Sequence, residues 1–402
     1  MNKIPRSFSR LNKAVKPWAE RLGKMDTRSA MEHAAKKRQT SVSMQTLLDT
    51  GRGKHLGNFG TDGEDDDSDK MEQVQNQIAS FLYREMPVRF AHRARELSSL
   101  PHGLCEQPSI KEVRNWYVQS FEDIVTMAPP TTEDDEALFY TTMDSIYKRH
   151  AETQVTIAYG LQEFKRSQAT IDSGKKLHHF EDIHRFLDSF SISRIGIRML
   201  IGQYLEIAKE RPDWVGMICE NTSPSDITSH AVEHASFMCD REFGFCPDVN
   251  IRGRTDMTFN YVPSHLYYIL FELLKNSMRA TCEKHYLEDD MPDIEIIIGD
   301  GEDNEDVIIK ISDQGGGIRR SQWRYIFSYL FTTAREEAIT ESAASKDFGT
   351  EGPLAGLGYG LPISRAHARY FGGDLQVISM EGYGTDAFLY LSRLNHHDEP
   401  LL

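Results

Sequence analysis

The chain has 402 residues, too many for one ordinary core and enough for two domains with extensions. Hydrophobic residues make up 39% and charged residues 27%, a soluble composition, and a net charge of −15 argues against general nucleic-acid binding. No apolar run is long enough to span a bilayer, and five cysteines without a CxxC pair suit a reducing compartment rather than a disulfide framework or a zinc site.

The first segment breaks the acidic trend. Lys3, Arg6, Arg10, Lys13, Lys16, Arg21 and Lys24 face a lone acid, Glu20, while Ile4, Phe8, Leu11, Val15, Trp18 and Leu22 recur at helical spacing. A basic, acid-poor amphipathic start is expected to be a mitochondrial transit peptide, placed at 1–30. Residues 31–70 end in the acidic run GTDGEDDDSDK and read as a disordered linker. That run lacks the glycine and distal Glu of a calcium loop.

From 71 to 212 the pattern is helical. Segments near 71–98, 108–126, 134–167 and 178–210 carry three-four apolar spacing, separated by breakers such as PHG at 101–103 and APP at 128–130. Long amphipathic helices with short connections predict a four-helix bundle. At Trp214 the pattern changes. WVGMIC reads as a strand, SPSD caps a helix to about Phe243, and strand runs follow at 257–261, 294–298, 307–311, 375–379 and 386–391. Helices are predicted near 263–285 and 360–371. The expected architecture at 213–395 is an α/β sandwich, followed by a short tail at 396–402.

The helix at 263–285 sets Tyr268, Glu272, Lys275, Asn276 and Arg279 within one arc, opposite Leu266, Leu270, Leu273 and Leu274. Alone, this is also the pattern of a solvated helix with a Glu–Lys pair. Downstream, Asp313-Gln-Gly315-Gly316-Gly317 follows a strand, where a carboxylate can accept from a purine amino group and glycines let backbone approach a ligand. Gly356-Leu357-Gly358-Tyr359-Gly360-Leu361 then leads into a helix, an arrangement whose N–H groups can cradle phosphates. It has neither the dinucleotide GxGxxG spacing nor a P-loop lysine. Thr385, in Gly384-Thr385-Asp386, enters the last strand.

In this order the motifs resemble the GHKL (Bergerat) ATPase superfamily. FELLKNSMRAT, KISDQGGGI, PLAGLGYGLPISRAHARYFGGDL and SMEGYGTD are similar to the mitochondrial pyruvate dehydrogenase kinases. So are REMPVRFAHR, PSIKEVRNWYVQSFEDI, KRHAETQVTIAYGLQEFKR and FLDSFSISRIGIRML in the bundle, so that the resemblance spans 78–393. It implies a helical regulatory and lipoyl-docking domain followed by an ATP-binding kinase domain. It also implies ATP and Mg²⁺ as cofactors, with Glu272 as general base and Asn276 as the metal ligand. Lys275, Arg279, Asp313, Gly315, Gly317, Thr332, Thr333, Gly356, Leu357, Gly358, Tyr359, Gly360, Leu361 and Thr385 would surround the nucleotide, under a lid from Tyr329 to Leu354.

The resemblance further implies a carboxylate-binding regulatory pocket of Phe90, Tyr117, Ser120, Ile146, His150, Arg194, Ile197 and Ile201. The implied partners are the decarboxylase component of the dehydrogenase, the lipoyl domain of its acetyltransferase core and a second copy of the chain, in the mitochondrial matrix. Tyr268 departs from a His common in the family, and Tyr147 from an Arg, which makes the pocket less basic. The tail HHDEPLL is shorter than the family's partner-crossing tail. The branched-chain 2-oxoacid dehydrogenase is the alternative substrate. A two-component histidine kinase and a non-catalytic ATP-binding regulator are the rival functions.

Overall fold

The computed structural model describes residues 25–54, 67–167, 180–209, 211–287, 290–301, 305–329, 331 and 358–401. It divides into two compact units, one of residues 1–176 and 196–217, the other of residues 177–195 and 218–400. Helix α7 (Glu181–Ile207) contributes to both.

The first unit is helical. It contains α1 (Thr27–Ala34), α2 (Met44–Gly51), α3 (Asp67–Ser98), α4 (Pro108–Thr126), α5 (Glu133–Arg149), α6 (Thr153–Arg166) and the C-terminal half of α7, and ends in a short strand, β1 (Trp214–Val215). Within 31–70, where the sequence suggests only linker, helical structure is present. Asp26 and Ser43 accept hydrogen bonds from the backbone N–H groups of Ser29 and Thr46, the N-cap chemistry that starts α1 and α2. The transit-peptide residues 1–24 and the acidic residues 55–66 lie outside the described residues. Thr40 N–H reaches Glu85 and the Arg89 guanidinium donates to Thr40 O, which ties this stretch to α3.

The predicted helix at 134–167 is two helices. α5 stops at His150, and α6 begins three residues later. The break turns His150 into the core, where it is almost fully buried. Thr132 caps α5, whose first turn is acidic and last turn basic, matching the helix dipole at both ends.

The second unit is an α/β sandwich. Its elements are β2 (Ile218–Thr222), α8 (Pro224–Phe243), β3 (Val249–Gly253), β4 (Phe259–Tyr261), α9 (Pro263–His285), β5 (Ile294–Asp300), β6 (Asp306–Asp313), α10 (Gly360–Tyr370), β7 (Asp374–Met380) and β8 (Gly384–Ser392). The main sheet runs β3-β5-β6-β8-β7, with β3 parallel to β5 and the other pairs antiparallel. Alternation places Ile294, Ile296, Ile298, Val307, Ile309, Ile311, Leu375, Leu389 and Leu391 in the core. α9 packs on β6 with α8 and α10 beside it, and its buried stripe includes Leu266, Leu270, Leu274 and Met278. β2 pairs separately with β4. Gly216, at φ 62°, interrupts the single strand that WVGMIC suggests.

Candidate nucleotide site

Helix α9 is the floor of the site. Pro263 occupies its first turn, where a missing N–H costs nothing, and Lys284 and His285 close it. Those two residues do more than cap. Lys284 Nζ donates to the carbonyls of Gln314, Gly382 and Tyr383 at 3.2–3.3 Å, and the His285 ring meets Gln314 O at 3.1 Å. The end of α9 thus pins the loop after β6 to the turn before β8.

Asp313 ends β6 opposite Thr385 of β8. Its Oδ1 accepts from Gly315 N at 2.9 Å and Thr385 N at 3.2 Å, and Ser277 of α9 adds a side-chain hydrogen bond. Burial pushes the Asp313 carboxyl above the ordinary range, and these three hydrogen bonds oppose the shift. Thr385 Oγ1 lies 3.2 Å from Ser379 Oγ, which also accepts from Ile318 N at 2.7 Å. Gly315 passes so near α9 that a Cβ there would lie 2.5 Å from Ala280 Cβ, so this stretch of backbone can hug the helix only as glycine.

Glu272 does not lie on an open polar face, as the helical pattern suggests. It is only 4% exposed. Its Oε1 accepts from Lys275 Nζ at 2.6 Å, and Lys275 also stands 4.8 Å from the centre of the Phe271 ring. Its Oε2 occupies the place that a Cβ on Gly360 would need. Gly360 is the first residue of α10, so the last glycine of the loop and the carboxylate are direct neighbours from opposite ends of the domain sequence. Asn276, one turn on, is exposed, and among the described residues its amide has no hydrogen-bond partner, leaving a hard oxygen donor available. Arg279 pairs with Glu283 at 2.7 Å, so its charge is engaged along the helix.

Tyr359 is buried, with its ring 5.5 Å from that of Tyr329. Tyr329 donates to Ser191 Oγ at 3.2 Å. Ser277 and Ser379 do not figure in the motifs, because each acts by supporting a neighbour, Ser277 through Asp313 and Ser379 through Ile318 and Thr385. Gly317 and Gly358 have positive φ, and Leu361 lies in the first turn of α10. Thr332, Thr333, Gly356, Leu357 and the expected lid beyond Phe331 lie outside the described residues. Among the described residues no group of three or more His, Cys, Asp or Glu side chains is placed to hold a metal ion.

The first unit gathers much of the expected regulatory cluster. His150 Nε2 lies 2.9 Å from Ser120 Oγ, and its ring sits 4.4 Å from Tyr117 and 5.8 Å from Phe90. Ile146 carries the carbonyl that accepts from His150 N. Ile197 and Ile201 are buried in the same unit, whereas Arg194 falls in the second unit, where its charge acts on the Tyr268 phenol. Tyr147 lies under the Arg198 guanidinium at 3.9 Å. Arg149 donates to Ser120 Oγ at 2.9 Å and to Asp123 at 2.8 Å. No motif singles out Arg149, since its role depends on the break that follows it.

Comparisons with known proteins agree with both units. Residues 41–219 match the family described as mitochondrial branched-chain alpha-ketoacid dehydrogenase kinase, and 261–395 match the histidine kinase-, DNA gyrase B- and HSP90-like ATPases. A mitochondrial pyruvate dehydrogenase (acetyl-transferring) kinase of Arabidopsis thaliana is 46% identical, over 80% of this chain and 86% of its own. A probable kinase of the same name from Caenorhabditis elegans is 40% identical over 78% and 77% of the two chains, and one from Ascaris suum is 37% identical over 90% and 86%. The chain belongs to the mitochondrial 2-oxoacid dehydrogenase kinase family, with a GHKL ATPase domain behind a helical domain.

Proposed function

We propose that the chain transfers the γ-phosphoryl group of ATP to a serine hydroxyl on the decarboxylase component of pyruvate dehydrogenase, in the mitochondrial matrix. The observation that carries this reading is the contact between buried Glu272 and Gly360. It joins a proton acceptor to the start of a helix whose free N–H groups favour phosphate.

Asp313 accepts from the adenine amino group, supported by Ser277 and by the Thr385 backbone. Gly356, Gly358, Gly360 and Leu361 surround the phosphates with N–H donors, and Asn276 offers its amide oxygen to Mg²⁺. The cation, when bound, offsets phosphate charge. Glu272 takes the serine proton as the hydroxyl oxygen attacks phosphorus, while Lys275 holds the carboxylate in place. Most of the acceleration comes from alignment and charge stabilisation. The cluster around Ser120, His150 and Arg149 is a regulatory site for a small carboxylate. Docking uses a lipoyl domain, and the working form is a homodimer.

The branched-chain dehydrogenase is the second reading. It is favoured by Tyr268 and by the name of the family matched at 41–219. The identities with pyruvate dehydrogenase kinases favour pyruvate. A phosphohistidine mechanism is disfavoured, because His150 is enclosed and hydrogen-bonded to Ser120.

The test offers purified chain both decarboxylases with labelled ATP. Acid-stable phosphoserine on the pyruvate enzyme is expected. Preferential labelling of the branched-chain enzyme would transfer the assignment, and labelling of neither would reject the kinase reading.

A further inference from the structure

Helices α8 and α9 pack together, and near its C-terminal end each buries a cysteine. Cys239 is 6% exposed and Cys282 is 0% exposed. They are forty-three positions apart in sequence, yet their Sγ atoms stand 3.4 Å from each other. Gly244 ends α8 in the left-handed conformation, at φ 80°, and turns the chain toward α9. The turn brings the Phe245 carbonyl to both thiols, 3.7 Å from Cys239 Sγ and 3.8 Å from Cys282 Sγ. The Phe245 ring lies 5.8 Å from that of Tyr286, which holds the turn against the end of α9. The next residue, Cys246, is exposed. Three thiols therefore meet in one place, two enclosed and in contact, the third open to solvent beside them.

Burial pushes both enclosed thiols above the ordinary range, so they stay protonated and meet a solvent-borne oxidant poorly. Cys246 has no such cover. We propose that the three residues form a redox modification site, which takes a hydroperoxide at Cys246 and stores the oxidation as a Cys239–Cys282 disulfide. The inference goes beyond the kinase reading and does not depend on it. The Cys246 thiolate attacks the hydroperoxide, the O–O bond breaks, an alcohol leaves with a proton from solvent, and Cys246 becomes a sulfenic acid. One thiol of the buried pair attacks the Cys246 sulfur. The S–OH bond breaks, and the hydroxide takes the thiol proton and leaves as water. The second buried thiol then attacks the first, the bond to Cys246 breaks, and Cys246 recovers a proton as a thiol. In sum, two thiols are oxidised to one disulfide and one hydroperoxide is reduced to alcohol and water.

The buried pair needs little more than an ångström of approach to reach bonding distance, roughly 2.05 Å. The bond ties α8 to the helix that floors the candidate nucleotide site and removes freedom from the unfolded chain. In a reducing compartment it is transient, and its reduction retraces the same route. The Cys246 thiolate reopens the buried bond, and a small thiol then attacks the exposed mixed disulfide. Cys246 is thus the entry for both oxidant and reductant.

The test treats the full reduced chain with a small excess of hydrogen peroxide, denatures it in an alkylating agent and maps the peptides. Alkylated cysteines should fall from five to three, with Cys239 and Cys282 found linked. The thermal midpoint should rise by about 5 °C and return on treatment with dithiothreitol. Cys246→Ser, a change at an exposed position, should slow both formation and reduction of the buried bond by about tenfold or more. Full alkylation of Cys239 and Cys282 after peroxide would overturn the proposal, as would a bond through Cys246 between two copies as the final product. Equal rates in the parent and the Ser variant would overturn it by removing Cys246 from the route. A midpoint unchanged or lowered by the bond would overturn it too, since the pair is then not placed for bonding.

Discussion

The candidate nucleotide site and the bundle cluster are assembled in opposite ways. Around the nucleotide, short runs of sequence each supply a complete piece of geometry: a strand end with its carboxylate, a glycine turn, the first turn of a helix. In the bundle, residues from different helices meet. Ser120 and His150 are thirty positions apart, and their hydrogen bond exists only because a helix breaks beside His150. Sites made of local pieces tolerate change between the pieces. Sites made of scattered side chains depend on the packing of whole helices, so substitutions there fall first on stability.

The largest contrast comes from Glu272→Gln. The amide keeps the shape and the place beside Gly360 but accepts no proton. Phosphoryl transfer should fall by about 10²–10⁴-fold while ATP affinity stays near that of the parent. Rapid-quench measurements with labelled ATP separate the two. Near-normal transfer would remove Glu272 from the chemistry and erase the distinction between a reacting site and a regulatory one.

Asp313 gives a smaller and graded effect. Its carboxyl is held above the ordinary range by burial, so it gains a proton at a higher pH than an exposed aspartate does. Protonation removes acceptor capacity from the group proposed to read adenine. ATP affinity should therefore be full above the raised pKa and fall as pH drops through it, approaching about tenfold per unit if only the carboxylate binds. Calorimetry with adenosine, which lacks a titrating phosphate, isolates this from changes in ATP charge. Asp313→Asn should bind weakly and show no such slope. A parent and an Asn variant with parallel pH profiles would place adenine recognition elsewhere.

The same contrast explains what could be read in advance. The helix 263–285 and the strand ending at Asp313 are legible because proline, alternation and glycine punctuate them. The burial of Glu272 was not, since its covering residue, Gly360, lies eighty-eight positions on and no helical wheel includes it. β3 escaped notice because Val249–Gly253 is short and partly exposed, with no apolar alternation to mark it. The break after Arg149 contains neither glycine nor proline, and continuous three-four spacing runs through it. Arg149 is hidden for the same reason, since its place beside Ser120 depends on that break.

The smallest effect expected on transfer, and the sharpest on the other side of the comparison, is His150→Ala. The substitution removes the ring between Phe90 and Tyr117 and leaves the Ser120 hydroxyl with one partner fewer, inside a core with little access to water. Lost packing and an under-satisfied polar group should together lower stability by about 2–5 kcal/mol, read by urea denaturation. Arg149 still reaches Ser120 and Asp123, so part of the polar network survives. Well below the melting temperature, the basal transfer rate should stay within about twofold of the parent, since structural changes away from the reacting atoms act on the folded fraction rather than on the barrier. Inhibition by a small carboxylate should disappear. A variant that keeps its inhibition but loses basal transfer would mean that His150 serves the reaction, and the division between local and scattered sites would no longer describe this molecule.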